Sequence, residues 1–242
     1  MSSAAHGMSV DFDRFTPDGP LIDNPSGAYL SFNHLNGDEF SAFGISNISS
    51  SKQNVSLFNS DCGGAQPACT GGDRDLASGP GVGSPAQGLV LIVDESDGQD
   101  PDDSTAAPLV TFEFSKATYV NSITLLDVDK GENFNDLSQD GALTQTFYDE
   151  SLKFVGIDPS DVLVNIIFAG VGSKHDNSIV EFIFSDPVAL TSFSMKLRKG
   201  TSLAVAELDI TPVPLPAGLP LMLSALAGFA VFRRRGARVG AR

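Results

Sequence analysis

The feature that most constrains this chain is a series of short apolar runs between residues 9 and 210, rich in Val, Ile, Phe and Thr. Gly, Pro, Asn or Asp separates the runs, a pattern typical of β-strands joined by turns. No long amphipathic helical pattern competes with them. We therefore predict an all-β fold with the strands Ser9–Phe15, Phe40–Ile48, Asn54–Asn59, Gly88–Val93, Leu109–Ser115, Tyr119–Val128, Leu143–Tyr148, Lys153–Ile157, Val162–Phe168, Ile179–Phe184, Thr191–Leu197 and Leu203–Ile210.

Several runs alternate so that one face of the strand is apolar, as in Leu109-Val-Thr-Phe-Glu-Phe and Val180-Glu-Phe-Ile-Phe. This alternation is expected where two antiparallel sheets pack face to face. The sequence predicts one antiparallel β-sandwich over residues 9–211, of jelly-roll or galactose-binding-like type. Two long loops, Ser60–Gly88 and Asp94–Pro108, interrupt the pattern, and we expect ligand contacts there because long loops on a β-scaffold are often functional.

The part of the chain before residue 213 is strongly acidic. Of the 15 basic residues, five are arginines after residue 232, so residues 1–212 carry all 30 acids against 10 bases. Such a surface repels phosphate backbones and attracts cations. We therefore expect no nucleic-acid partner. The same acidic charge favours the binding of divalent metal ions.

The C-terminal residues 212–242 form a separate segment. Residues 213–232 carry no charge, and arginines follow at once. Because two prolines disfavour helix near the start of this stretch, we predict one transmembrane helix over residues 218–232, about 22 Å long. Arginines beside a membrane segment resist translocation, which places the acidic body outside the cytoplasm. The cytoplasmic cluster consists of Arg233, Arg234 and Arg235.

The most specific motif precedes this apolar segment and consists of Val213, Pro214, Leu215, Pro216 and Ala217. Together with the apolar segment and the arginine cluster, it resembles the VPLPA-CTERM branch of the PEP-CTERM sorting signals, over about the last thirty residues. The resemblance implies an exported protein of a Gram-negative bacterium, present in the inner membrane as a transient precursor. An exosortase would cleave it near the motif for delivery to the cell surface or the extracellular matrix. The alternative is a single-span membrane anchor that is never cleaved.

Residues 1–8 form a short N-terminal segment without a basic region or an apolar run of signal-peptide length. Ser2-Ser3-Ala4-Ala5 is similar to the small-residue region around a signal-peptidase site. We therefore expect that the start codon is assigned too late and that the upstream gene sequence encodes the hydrophobic part of a signal peptide.

The chain has two cysteines, Cys62 and Cys69, in a loop that contains Gly and Pro. Two cysteines are too few for a four-cysteine zinc site. A local disulfide in an oxidising compartment is the preferred interpretation. Two buried free thiols are the alternative.

Paired acids suggest a structural calcium ion, which takes six to eight oxygen ligands. In a strand, residues two apart point to the same face, so two of these acids can present their carboxylates together. The candidate ligands are Asp73, Asp75, Asp127, Asp129 and Glu207. The alternative is that they are solvated loop acids. The segments that hold them, together with residues 175–178, loosely resemble β-sandwich domains of other sorted surface proteins, a likeness that implies no activity.

Catalytic motifs are not found in the sequence: it contains no G-x-S-x-G, no H-E-x-x-H and no Cys with evident His support. His175 lies beside Asp176, but sequence neighbours on a turn commonly point apart, so we interpret this pair as surface residues. Sugar-binding sandwiches usually display aromatic rings, whereas this chain has no Trp and three Tyr. The sequence therefore predicts a protein that is not an enzyme.

These patterns together predict an exported cell-envelope or extracellular-matrix protein whose β-sandwich is a non-catalytic binding or structural module associated with exopolysaccharide. The alternative from a different class is a secreted polysaccharide-acting enzyme with a carboxylate-based site in the two long loops. A purely structural envelope protein without a small ligand is a third interpretation. The sequence does not separate it from the first.

Overall fold

The computed structural model describes residues 7–22, 35–61, 76–94, 108–128, 152–170, 177–197 and 203–214. The described chain forms β1 (Met8–Val10), β2 (Ile45–Ser50), β3 (Asn54–Asn59), β4 (Leu89–Asp94), β5 (Leu109–Leu126), β6 (Leu152–Phe154), β7 (Val162–Phe168), β8 (Ile179–Phe184), β9 (Ala189–Leu197) and β10 (Ala204–Pro212). All ladders between these strands are antiparallel. The all-β prediction is confirmed, whereas the predicted strand Leu143–Tyr148 lies outside the described residues.

The longest strand, β5, combines two runs that the sequence predicted as separate strands, Leu109–Ser115 and Tyr119–Val128. Its first half pairs with β2 and β9, and its second half pairs mainly with β10 and β8. The ladder to β9 shifts register between Glu113 and Thr118. The residues between the two runs, 116–118, contain neither Gly nor Pro. The strand therefore stays extended while its partners change.

The strand order is β3-β4-β10-β5-β8-β7, with β1 on β10, β2 on β5, and β9 joining β5 to β6. Because β5 pairs with different strands along its length, the strands form a β3-β4-β10-β5-β8-β7 group and a β2-β5-β9-β6 group. In the first group, Leu126 of β5 lies between Ala204 and Ile179, and Ile179 also faces Phe168 of β7. The ends of β5 and β7 and the starts of β8 and β10 therefore share one edge, which we call the loop edge.

Strand β4 is buried on both faces, as its continuous apolar run predicts. Leu89, Leu91 and Val93 belong to the main core. Val90 and Ile92 belong to a second cluster on the opposite face. That second cluster also contains Phe58, Leu76, Leu126, Ile179, Ala204 and Ala206. The first strand group is therefore apolar on both faces near the loop edge.

Four phenylalanines from three strands form an aromatic centre in the main core: Phe154 of β6, Phe182 and Phe184 of β8, and Phe193 of β9. The Phe154 ring lies 5.1 Å from Phe184, edge to face, and 5.7 Å from Phe193, stacked. Such pairs contribute about 0.5–1.5 kcal/mol beyond the burial of their area. These contacts join β6 and β9 of one strand group to β8 of the other.

Strands β4, β6, β9 and β10 differ from their predicted bounds by one to three residues. Strands β1 and β2 each differ by five residues at one bound, and in both cases the backbone explains the difference. Strand β1 ends at Val10, and Phe12 adopts a positive φ of 57°, which interrupts extended backbone before the predicted end at Phe15. Strand β2 starts at Ile45 because Ser41–Phe43 form a 3-10 turn, which Gly44 closes with φ 85°.

Strand β10 ends at Pro212, close to the predicted boundary between residues 211 and 212. Among the residues that the structure describes, no helix is long and apolar enough to cross a membrane. The helix predicted over residues 218–232 lies outside those residues and stays a prediction.

Candidate functional site

A buried polar corner lies at the loop edge, where β5 ends and β8 begins. The Asn177 backbone N–H donates to Asp127 Oδ1 at 3.0 Å, and the Asp127 N–H donates to the Ser178 carbonyl at 2.7 Å. The Ser178 hydroxyl donates to the Val128 carbonyl at 2.8 Å. All four residues are at most 3% exposed. These hydrogen bonds therefore join the end of β5 to the start of β8 at a buried position.

The sequence favours this corner because Asp and Asn tolerate left-handed backbone better than other non-glycine residues. Asp127 has φ 64° and Asn177 has φ 63°. Asp127 directly follows β5, and Asn177 precedes β8 by two residues. The corner thus joins the end of β5 to the start of β8. The sequence analysis named Asp127 only as a calcium ligand and missed this role.

The structure describes two of the five predicted calcium ligands, and it places them apart. Asp127 lies beyond the end of β5, whereas Glu207 pairs with Thr124, three positions earlier along β5. At about 3.4 Å per residue, this separates them by about 10 Å along the sheet. Asp73, Asp75 and Asp129 lie outside the described residues. The described residues contain no group of three or more His, Cys, Asp or Glu that could hold a metal, and the calcium site stays a prediction.

Glu207 has a partner of its own on the solvent side of the sheet. The Ser9 hydroxyl donates to Glu207 Oε1 at 2.5 Å, which links β1 to β10. Ser9 faces Asp209, so this bond draws the Glu207 side chain away from Asp127. In its described conformation, Glu207 supports the pairing of β1.

The two ends of the Ser60–Gly88 loop are joined by buried serines that the sequence analysis did not single out. The hydroxyls of Ser60 and Ser78 are 2.8 Å apart. The Ser60 hydroxyl also donates to the Gly88 carbonyl at 2.9 Å, and the Gln87 N–H donates to Ser78 Oγ at 2.9 Å. This network fixes the base of the loop in which the predicted disulfide falls. Cys62 and Cys69 themselves lie outside the described residues, as do His175 and Asp176.

Asp13 is a further carboxylate that the sequence analysis missed. The Leu89 N–H donates to Asp13 Oδ1 at 2.8 Å and fixes the N-terminal segment against the start of β4. Burial raises the pKa of this half-buried carboxyl, as do the nearby Asp11 and Asp61 carboxylates, whereas the Leu89 hydrogen bond and Arg14 act in the opposite direction. Sequence alone could not find it, because the two partners are 76 positions apart.

The sorting motif begins directly after β10. The Val213 N–H donates to the Ala117 carbonyl at 2.9 Å, so the sheet holds the first motif residue. Pro214 is exposed. The rest of the motif, Leu215, Pro216 and Ala217, lies outside the described residues, as does the cluster of Arg233, Arg234 and Arg235. No linker separates the last strand from the motif.

No family model, curated protein or solved structure matches this chain. The family, processing enzyme and location that the VPLPA motif implies therefore stay predictions. The arguments for function that follow depend on the sequence of the tail and on the geometry of the described body.

Proposed function

We propose that this chain is an exported cell-envelope or extracellular-matrix protein whose C-terminal tail is a sorting signal for an exosortase. The observation that carries the proposal is the order of the VPLPA motif, the uncharged segment and the arginine cluster in residues 213–235. Arginines on the cytoplasmic side fit a precursor that holds residues 218–232 as a helix in the inner membrane. The acidic body then lies outside the cytoplasm.

The end of β10 supports processing at the motif. The ten described strands run from Met8 to Pro212. Of the two motif residues that the structure describes, Val213 donates its backbone N–H to the Ala117 carbonyl of the sheet. Cleavage near residues 213–217 would therefore release a body that retains every described strand. Every residue of the two described core clusters also precedes the motif.

We propose that the body is a β-sandwich of jelly-roll type. The contacts of Phe154 and Phe193 with Phe182 and Phe184 support this, because they join strands of the two groups through their side chains. Strand β5 passes from one group to the other, as a strand shared by two packed sheets would. The apolar alternation of β8 also fits a sheet with one face toward such a core.

The body acts in this proposal as a non-catalytic binding or structural module associated with exopolysaccharide. The described carboxylates at the candidate site accept hydrogen bonds from other parts of the fold. These bonds favour a role in stabilising the fold over a role in catalysis. Asp127 accepts from Asn177, Asp13 accepts from Leu89, and Glu207 accepts from Ser9. Each bond joins segments far apart in the chain, as is typical of groups that stabilise a fold.

The test is intact mass and terminal peptide mapping of the protein in a Gram-negative host that produces an exosortase. Membrane, outer-envelope and culture-fluid fractions are compared, and thiol alkylation reports on Cys62 and Cys69. We expect a mature form that ends near residues 213–217, with the two cysteines bridged. An intact Arg242 end with free thiols in the cytoplasmic fraction would contradict the proposal.

A motif variant separates sorting from simple membrane anchoring. Pro214→Ala/Pro216→Ala changes the motif, whereas Pro220→Ala changes a proline of the apolar segment and serves as the matched control. We expect the motif variant to keep its Arg242 end in the membrane fraction and the control to be processed like the wild type. Equal processing of both variants would contradict recognition of the motif, and the absence of processing in all three chains would favour an uncleaved anchor.

A further inference from the structure

Strand β7, the last strand in the order of the described sheet, concentrates exposed apolar side chains. Leu163, Ile166 and Ile167 are 45%, 41% and 44% exposed, and they make up half of the six large exposed hydrophobic residues in the described chain. Contiguous exposed apolar residues commonly mark an interaction surface, unlike apolar residues scattered singly. The concentration on one short strand therefore needs an explanation beyond ordinary surface composition.

Within the part of the chain that the structure describes, no strand pairs with the outer side of β7. Among the described strands, β7 pairs with β8 and with no other strand. Natural proteins protect such edges with Lys, Pro or bulges. Strand β7 contains neither Lys nor Pro, and its one register shift lies near the end, between Ile166 and Phe168. The stretch Val162–Ile166 is therefore a regular edge that can accept a strand.

The side chains around this edge are predominantly acidic. Residues 152–170 and 177–190 contain four acids, namely Asp158, Asp161, Glu181 and Asp186, against the single base Lys153. Glu181 lies beside the centre of the edge, because the Asn165 side-chain amide donates to Glu181 Oε2 at 3.0 Å. A second copy of this chain would bring like charges together at this edge. A segment with basic residues would neutralise them.

We propose that β7 is a docking edge for an extended, basic segment of a partner polypeptide, which adds as a strand along Val162–Ile167. Main-chain hydrogen bonds provide affinity in this mode, and alternate side chains provide specificity. The pattern around Asn165 defines the partner: apolar residues opposite Leu163 and Ile167, and Lys or Arg opposite Asn165, where it reaches Glu181. Further basic residues at the end of the segment beside Val162 face Asp158 and Asp161. This edge is independent of the sorting tail.

The probe is the peptide acetyl-Lys-Val-Thr-Lys-Thr-Val-Lys-amide, labelled with a fluorophore and titrated with the full-length protein in anisotropy measurements. Three peptides serve as controls: one with every Lys replaced by Glu, one with Pro at the centre, and one N-methylated at alternate backbone amides. The N-methylated peptide keeps its charges and loses the donors for strand pairing. We expect micromolar to millimolar binding of the probe alone, because so short an edge buries less surface than a standard interface.

Two double variants locate the binding site. Leu163→Thr/Ile167→Thr removes apolar surface from the face that also holds Asn165 and places β-branched residues there. Val155→Thr/Val188→Thr makes a similar change at two exposed positions outside β7, 49% and 62% exposed, and is the matched control. We expect the first variant to weaken binding at least tenfold and the second to leave it unchanged. Circular dichroism confirms that both variants are folded.

Several results would overturn the proposal. Equal binding of the N-methylated peptide would mean attraction to an acidic surface without strand addition. Equal binding by both double variants would place the site elsewhere, and no binding of the probe would reject a basic partner at this edge. Concentration-dependent dimers in sedimentation that Leu163→Thr/Ile167→Thr abolishes would assign the edge to a second copy of the chain instead.

Discussion

Asp127 and Asn177 meet at the loop edge with nearly equal backbone angles, φ 64° and 63°, and the Asn177 N–H donates to the Asp127 carboxylate. The two residues lie 50 positions apart and are both buried. We expect Asp127→Ala to lower the free energy of unfolding by about 2–4 kcal/mol, because alanine disfavours left-handed backbone and leaves a buried N–H without this acceptor. Urea unfolding of the full-length protein measures the change.

Asp127→Asn is the matched control for this corner. Asparagine tolerates the same backbone conformation and retains an oxygen acceptor, so we expect a smaller loss than for alanine. Equal losses for the two substitutions would mean that neither the backbone angle nor the Asn177 hydrogen bond accounts for the stability of the corner.

The half-buried Asp13 predicts a pH-dependent effect. Burial raises the pKa of its carboxyl in the folded protein. Its favourable contribution to the free energy of unfolding is therefore complete below the ordinary Asp pKa of about 3.9 and is lost as pH rises through the folded pKa. Asp13→Asn keeps an acceptor for Leu89 and carries no charge. We expect the stability of this variant relative to wild type to increase between pH 4 and pH 7, measured by urea unfolding at each pH.

Asp158 provides a comparison with the opposite sign. Hydrogen bonds from the Ser160 hydroxyl and backbone N–H lower the pKa of its exposed carboxyl. Its contribution is therefore present above the ordinary Asp pKa and lost as pH falls through the lowered folded pKa. Asp158→Asn should not gain relative stability between pH 4 and pH 7. If the stability of Asp158→Asn relative to wild type changes with pH in the same way as that of Asp13→Asn, neither change reports on the environment of the replaced carboxyl.

The sequence predicted the bounds of a strand well where residues within the strand and directly beside it determine those bounds. The predicted strands Asn54–Asn59, Val162–Phe168 and Ile179–Phe184 coincide with β3, β7 and β8. The alternation or β-branched content of a strand is contained within the strand itself, and turn residues bound it on both sides. The predictions were less accurate at β5, where the exchange of partners between two strand groups depends on distant segments.

The polar contacts of the candidate site could not be predicted from sequence for the same reason. Asp13 acquires its role from Leu89, and Ser60 from Ser78 and Gly88, none of which is a sequence neighbour. Composition did indicate many acids, but it could not distinguish those that hold the fold together from those in solvent. The motif at residues 213–217 is different, because its proposed recognition depends on the order of residues alone.

The calcium prediction is checked by thermal unfolding. If Asp129 contributes to a calcium site, Ca²⁺ should raise the unfolding midpoint, a chelator should lower it, and Asp129→Asn should abolish the response. Asp209→Asn in β10 removes an acid outside the predicted ligand set and is the matched control. A midpoint that does not respond to Ca²⁺ in the wild-type protein would favour solvated acids.

Gly88 lies where an added side chain would meet the Asp13 carboxylate. Its φ is +64°, and an added Cβ would overlap both carboxylate oxygens of Asp13. We expect Gly88→Ala to destabilise the protein by about 2–4 kcal/mol, since backbone strain and steric overlap both contribute. Gly83→Ala is the control, because Gly83 has φ +78° with no neighbour within 4 Å, and backbone strain alone should cost about 1–2 kcal/mol. Equal losses in urea unfolding would contradict the overlap with Asp13.

Phe154 is expected to be one of the most sensitive core positions of the described chain. It is fully buried, and its ring lies within 6 Å of three other phenylalanine rings from β8 and β9. Phe154→Ala would leave a cavity between the two strand groups, and we expect a loss of about 3–5 kcal/mol in urea unfolding. The neighbouring Val155 is 49% exposed, so Val155→Ala should change stability by less than about 0.5 kcal/mol. A small loss for Phe154→Ala would mean that the aromatic contacts do not hold β6 and β9 against β8, and it would weaken the sandwich proposal.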